Sequence, residues 1–101
     1  MKNDINEIKG QCIQIIEFVL GVEEDEAYIN INAIVNQKSV HMSFHNVSNL
    51  EIHDISKPFQ IVGFDIVDNK ERGWDNSSRF YIYDFEDNKI SFYCERYELI
   101  L

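Results

Sequence analysis

The chain has 101 residues, with 18 Asp and Glu against 9 Lys and Arg and a formal net charge of -9. That length holds one core and no second lobe, and a composition 45% hydrophobic and 13% aromatic puts the acid on a folded body rather than on a disordered chain. A field of this sign repels phosphate backbones and anionic headgroups, which excludes nucleic acid and membrane surfaces as partners and favours a basic protein.

The amino-terminal stretch carries two signals. Ile5, Ile8, Cys12, Ile15 and Val19 recur at helical spacing, and Asp4 with Glu7 imitates a capping box. Gly10 and the β-branched residues Ile13, Ile15, Ile16 and Val19 favour extended chain instead. The spacing therefore predicts a short helical turn followed by a strand from about Gln11 to Leu20. The run "CIQIIEFVLGV" contains Glu17 and is far shorter than the ~20 residues a bilayer needs. The amino terminus lacks the apolar stretch of a signal peptide, so the protein as written is expected in the cytoplasm.

"GVEEDEAY" then places Glu23, Glu24, Asp25 and Glu26 together, and no basic residue occurs from Glu17 through Gln37. This is either a solvated hairpin loop or a docking patch for a basic partner. In "AYININAIV", Ile29, Ile31, Ala33 and Val35 alternate with polar positions, and in "SVHMSFHNV" Val40, Met42 and Phe44 do the same. With "NQK" as the turn, residues 27 to 45 read as an antiparallel hairpin.

"NLEIHDI" reads as a short edge strand, and Pro58 stands where a strand can start but not continue, so "FQIVGFDIVD" forms a strand from about Phe59. "NKERGWDNSS" is a polar loop. "RFYIYDF" and "KISFYCERYELIL" follow as two strands of a second hairpin turned at Glu86, Asp87 and Asn88. On the last strand Ile90, Phe92 and Cys94 share the inward face, and Tyr93, Glu95 and Tyr97 the outward one. The whole chain, residues 1 to 101, is thus one mostly β domain of roughly six or seven strands. A single antiparallel sheet folds over or partly closes into a small barrel or sandwich, because a sheet apolar on both faces needs cover.

Chemical signatures are sparse. Cys12 and Cys94 lack disulfide-scaffold or zinc spacing and are expected as reduced thiols. "HMSFH" imitates a zinc-binding helix, but on a strand His41 and His45 lie roughly 13 Å apart, so no metal is expected. Paired acids such as "DFED" come without a recognisable cleft, no GxSxG elbow occurs, and the glycines are scattered with no phosphate-cradling loop. No catalytic residue and no cofactor is assigned.

The binding candidates are the "EEDE" acids, the loop pair Trp74 and Asp75, the turn acids Glu86 and Asp87, and Tyr93, Glu95 and Tyr97. A loop tryptophan beside an acid is an interface anchor or a lid folded over the core.

The segment "GFDIVDNKERGWDNSSRFYIYDFEDNKISFYCERYEL" resembles small, acidic, β-rich bacterial proteins similar to the immunity proteins of polymorphic toxins. The matching features are Asp65 and Asp68, Gly73-Trp74, Tyr83 through Glu86, and Phe92-Tyr93-Cys94-Glu95. They lie in the carboxyl-terminal part alone, and the resemblance implies no catalytic residue. It implies a non-catalytic cytoplasmic inhibitor that neutralises a basic toxin domain through an acidic surface, with a homodimer also compatible. The alternatives are a small enzyme with a dispersed site and a homo-oligomeric structural module.

Overall fold

The computed structural model describes residues 8–53, 55, 59–69 and 78–100. Their nine strands are β1 (Ile13–Glu23), β2 (Glu26–Val35), β3 (Lys38–His45), β4 (Ser48–Ile52), β5 (Gln60–Ile61), β6 (Phe64–Asp68), β7 (Phe80–Asp84), β8 (Ile90–Cys94) and β9 (Arg96–Ile100). All their pairings are antiparallel. The expected mostly β domain is what forms, and its cover comes from a second sheet. The order is β5-β1-β2-β3-β9 in one sheet and β4-β8-β7-β6 in the other.

Three connections between the sheets are so short that each joins two strands into one bent strand: β3 to β4 through Asn46 and Val47, β5 to β6 through Val62 and Gly63, and β8 to β9 through Glu95. Counted this way, six long strands pair in a closed ring: β1, β2, β3/β4, β9/β8, β7, β6/β5 and back to β1. Closure leaves the interior lined from both sheets, and the bends supply the corners.

Each corner is held by backbone bonds. The Glu95 N–H donates to the His45 carbonyl at 3.0 Å, the Val47 N–H to Ala27 at 2.9 Å, and the Phe85 N–H to Gly63 at 2.8 Å. At Gly63 an added Cβ would stand 2.6 Å from the Glu86 nitrogen, so only glycine lets the β7–β8 turn approach.

Period-two burial on β2 and β3 follows the sequence, with Ile29, Ile31, Ala33, Val35, Val40, Met42 and Phe44 all in the core. Phe44 meets Phe92 edge to face with centroids 5.0 Å apart, and so ties the sheets together. Asn36 and Gln37, both at positive φ, turn the β2–β3 hairpin as "NQK" foretold.

Several boundaries differ from the sequence reading. β1 starts at Ile13 and runs to Glu23, with a bulge between Ile15 and Glu17 that shifts its inward phase. "FQIVGFDIVD" breaks at residues 62 and 63, and "KISFYCERYELIL" breaks at Glu95, because each run crosses from one sheet to the other. The expected helical turn at the amino terminus falls largely outside the described residues. What is described there is a turn at residues 8–10 that buries Ile8.

Candidate functional site

The break at Glu95 separates three residues that the sequence placed on one face. Tyr93 stays on the outer face of the four-stranded sheet. Tyr97 belongs to the other sheet and packs on the core, 4.9 Å from Phe80 and 6.3 Å from Phe44, ring to ring. Glu95 sits in the corner itself, where its Oε1 accepts bonds from Asn46 Nδ2 and Arg96 Nη1, both at 3.1 Å. Arg96 also reaches Glu26 at 2.8 Å. Those carboxylates hold the guanidinium in its charged form, the Glu26 hydrogen bond first.

The other acids of "EEDE" form the tip of the β1–β2 hairpin. Glu24 and Asp25 are its central residues, at φ 51 and 65, with Glu23 opposite Glu26. Glu86 and Asp87 are exposed on the β7–β8 turn. That turn lies at the start of β8 and Glu95 at its end, about 16 Å apart for five extended residues. The candidate acids thus fall into two groups, Glu23–Glu26 with Glu95 and Glu86 with Asp87. Trp74 and Asp75 lie outside the described residues.

Between the two acid groups runs a feature that the sequence reading missed. On β6, β7 and β8 the inward positions are Phe64, Ile82, Asp84, Ile90, Phe92 and Cys94, so the alternate positions face outward. Cross-strand register then sets Val67, Tyr81, Tyr93 and Ser48 in one row, and Asp65, Tyr83, Ser91 and Glu51 in the next. Tyr81 stacks on Tyr83 at 4.9 Å and 9°, and lies 4.7 Å from Tyr93. Asp65 and Glu51 flank these partly exposed rings.

Asp65 is paired to Lys9 at 3.5 Å. Burial pushes the Tyr83 phenol up from its ordinary 10.0, and the Asp65 carboxylate beside it adds to the shift. The signal lay in "YIY", whose two tyrosines are in phase with each other and out of phase with Ile82.

Asp84 positions the turn acids. It is 2% exposed, and its carboxylate accepts the N–H groups of Glu86, Asp87 and Lys89 at 3.1, 3.4 and 3.2 Å. An acid inside the sheet thereby holds two acids outside it.

The outer face of the five-stranded sheet has its own polar row. Asn32 Nδ2 donates to Glu17 Oε1 at 2.7 Å, which leaves Asn32 Oδ1 to accept from His41 Nδ1 at 2.8 Å. His41 Nε2 then accepts from the Ser43 hydroxyl at 3.1 Å. The order of nucleophile, base and orienting group suits acyl transfer, but β3 lies between β2 and β9, so the backbone N–H groups around Ser43 are used by the ladders. No oxyanion site remains there among the described residues. A shallow groove of about 400 Å³ beside His41, lined also by Ile16, Ile34, Ser39 and Ile100, does not take in Ser43.

Comparisons with protein-family models, with curated proteins and with solved structures find no match in any of the three.

Proposed function

We propose that this chain is a non-catalytic cytoplasmic protein that binds and neutralises a basic protein, as a toxin-immunity protein does. The observation that carries the reading is the tyrosine platform of β7 and β8. Three partly exposed rings stand in contact at the middle of a sheet face, with the exposed carboxylate of Glu51 at one flank and Asp65, already paired to Lys9, at the other. Tyrosines of this kind supply large contact area at small entropic cost and dominate interface energetics, and acids around them select a cationic counterpart. A net charge of -9 adds long-range attraction to the same class of partner. A toxin domain that holds an anionic substrate such as nucleic acid presents the surface this platform complements.

The test is to identify the neighbouring gene and, where it encodes a toxic domain, to co-express the two, scored as protection of growth and as affinity of the purified pair. Replacing Tyr81 or Tyr93 by alanine is expected to weaken binding by about 2 kcal/mol or more, roughly thirtyfold, and to abolish protection. Reversing Glu86 and Asp87 to lysine is expected to weaken it most at low salt. Glu95 is left unchanged, because its bonds to Asn46 and Arg96 make its reversal a test of the corner rather than of docking. Full protection by the folded tyrosine variants would overturn the reading.

A further inference from the structure

β1 is eleven residues long, and β2 pairs with it along its length. On its other side β5 pairs only Ile13 and Gln14, with one further bond from the Ile15 N–H to Phe59. Among the described residues no strand pairs with that edge from the bulge at Ile16 to Glu23. The same segment exposes apolar side chains: Val19 is 39% exposed, Leu20 53% and Val22 75%.

Proteins blunt such an edge with charged side chains, above all lysine, with proline, with a bulge or by covering it. The bulge of β1 lies at one end of this edge, between Ile15 and Glu17. Here neither lysine nor proline occurs between Glu17 and Gln37. The only charges on the edge are Glu17 and Glu23, with Glu24 and Asp25 at the tip.

We infer that the free edge of β1 accepts an extended segment of a basic partner as an added strand, one that alternates cationic and apolar side chains. Main-chain hydrogen bonds supply affinity in this mode of recognition, and alternate side chains supply selectivity. Val19, Leu20 and Val22 give the apolar contacts, and Glu17 and Glu23 stand at the two ends of the edge to meet cations.

A second copy of this chain is a poor occupant. In an antiparallel β1–β1 pairing centred on Leu20, Glu17 of each copy faces Glu23 of the other, and like charges directly opposite are repulsive. The inference rests on the proposal that the partner is basic, but it concerns a different surface from the tyrosine platform.

The probe is a capped peptide alternating lysine and valine, compared with one alternating glutamate and valine, and added to the full chain. Amide exchange and chemical shifts locate the binding. The expected result is new protection of those amides between Glu17 and Glu23 that point away from β2, with the glutamate peptide at least about tenfold weaker. The variant E17K with E23K should prefer the glutamate peptide.

Shifts centred on Tyr81 and Tyr93 instead, or equal binding of both peptides, would overturn the inference and leave the platform proposal standing. So would protection of the same amides in the free protein, or a dimer that buries them, since the edge would already be occupied. Loss of growth protection in the tyrosine variants alone does not bear on β1, so the two readings fail separately.

Discussion

Asp84 shows how a single buried side chain sets the geometry of a surface. Its carboxylate is the acceptor for three turn N–H groups, and Asp84→Ala removes all three bonds. A cost of about 1–3 kcal/mol is expected, read as a lower melting temperature, with faster exchange of the Glu86, Asp87 and Lys89 amides. The phase of the sequence held this information, because Asp84 follows Phe80 and Ile82 at period two. Its charge hid the role, since an acid among "DFED" reads as solvated surface.

Cys94 was legible by the same phase and is fully buried. Burial pushes its thiol from an ordinary 9.0 up to about 12. A folded pKa raised above the unfolded one means that the contribution is complete below pH 9 and is lost as pH rises from 9 toward 12. Wild type should therefore lose stability over that window faster than Cys94→Ala, compared by chemical melts at each pH. At neutral pH a thiol reagent should modify exposed Cys12 and spare Cys94.

At the scale of strands and turns, steric cost marks where the chain departs from what the backbone prefers. The β1–β2 turn holds Glu24 and Asp25 at positive φ, where asparagine and glycine are favoured. Asp25→Gly is expected to stabilise the domain by about 1 kcal/mol, or roughly 4–8 °C in melting temperature, because it relieves the left-handed residue. Unchanged or reduced stability would mean that this turn carries no strain.

The hairpins were legible because their turns interrupt two clean alternations. The break at Asn46 and Val47 was legible too, between the hairpin that ends at 45 and "NLEIHDI". The corners at Gly63 and Glu95 were not, because a bent strand looks continuous. Yet each corner carries a slip of phase: Ile90, Phe92 and Cys94 point inward at even numbers, and Leu99 beyond Glu95 at an odd one. Ile61 and Phe64 show the same slip around Gly63. Gly63→Ala should be the sharpest probe of a corner. The added methyl must displace the backbone at Glu86, and a loss of about 1–3 kcal/mol is expected in a denaturant titration.

Over the whole molecule, the ring of pairings decides how the domain comes apart. Sequence phase named most of the core, because burial follows alternation wherever a strand stays within one sheet. It could not tell that nine segments close into one ring, since closure depends on pairings between β1 and β5 and between β3 and β9, which are remote in sequence. Closure leaves one interior, with Phe44 from one sheet seated against Phe92 from the other, both fully buried. Neither sheet can keep its inner face dry without the other, so the two should melt together. Phe92→Ala removes the ring that joins them and is expected to cost about 3–5 kcal/mol, a large fraction of the stability of a domain of this size. The decisive measurement is the coincidence of two probes in wild type and in a milder variant, Phe92→Leu, which retains enough stability to be titrated. Far-ultraviolet circular dichroism follows the strands, and the near-ultraviolet tyrosine signal weights the platform of β7 and β8. Superimposed transitions with a common midpoint are expected, lowered together in the variant. Separate midpoints would mean that the four-stranded sheet unfolds by itself, and that the corners at Asn46, Gly63 and Glu95 act as hinges between two independent layers.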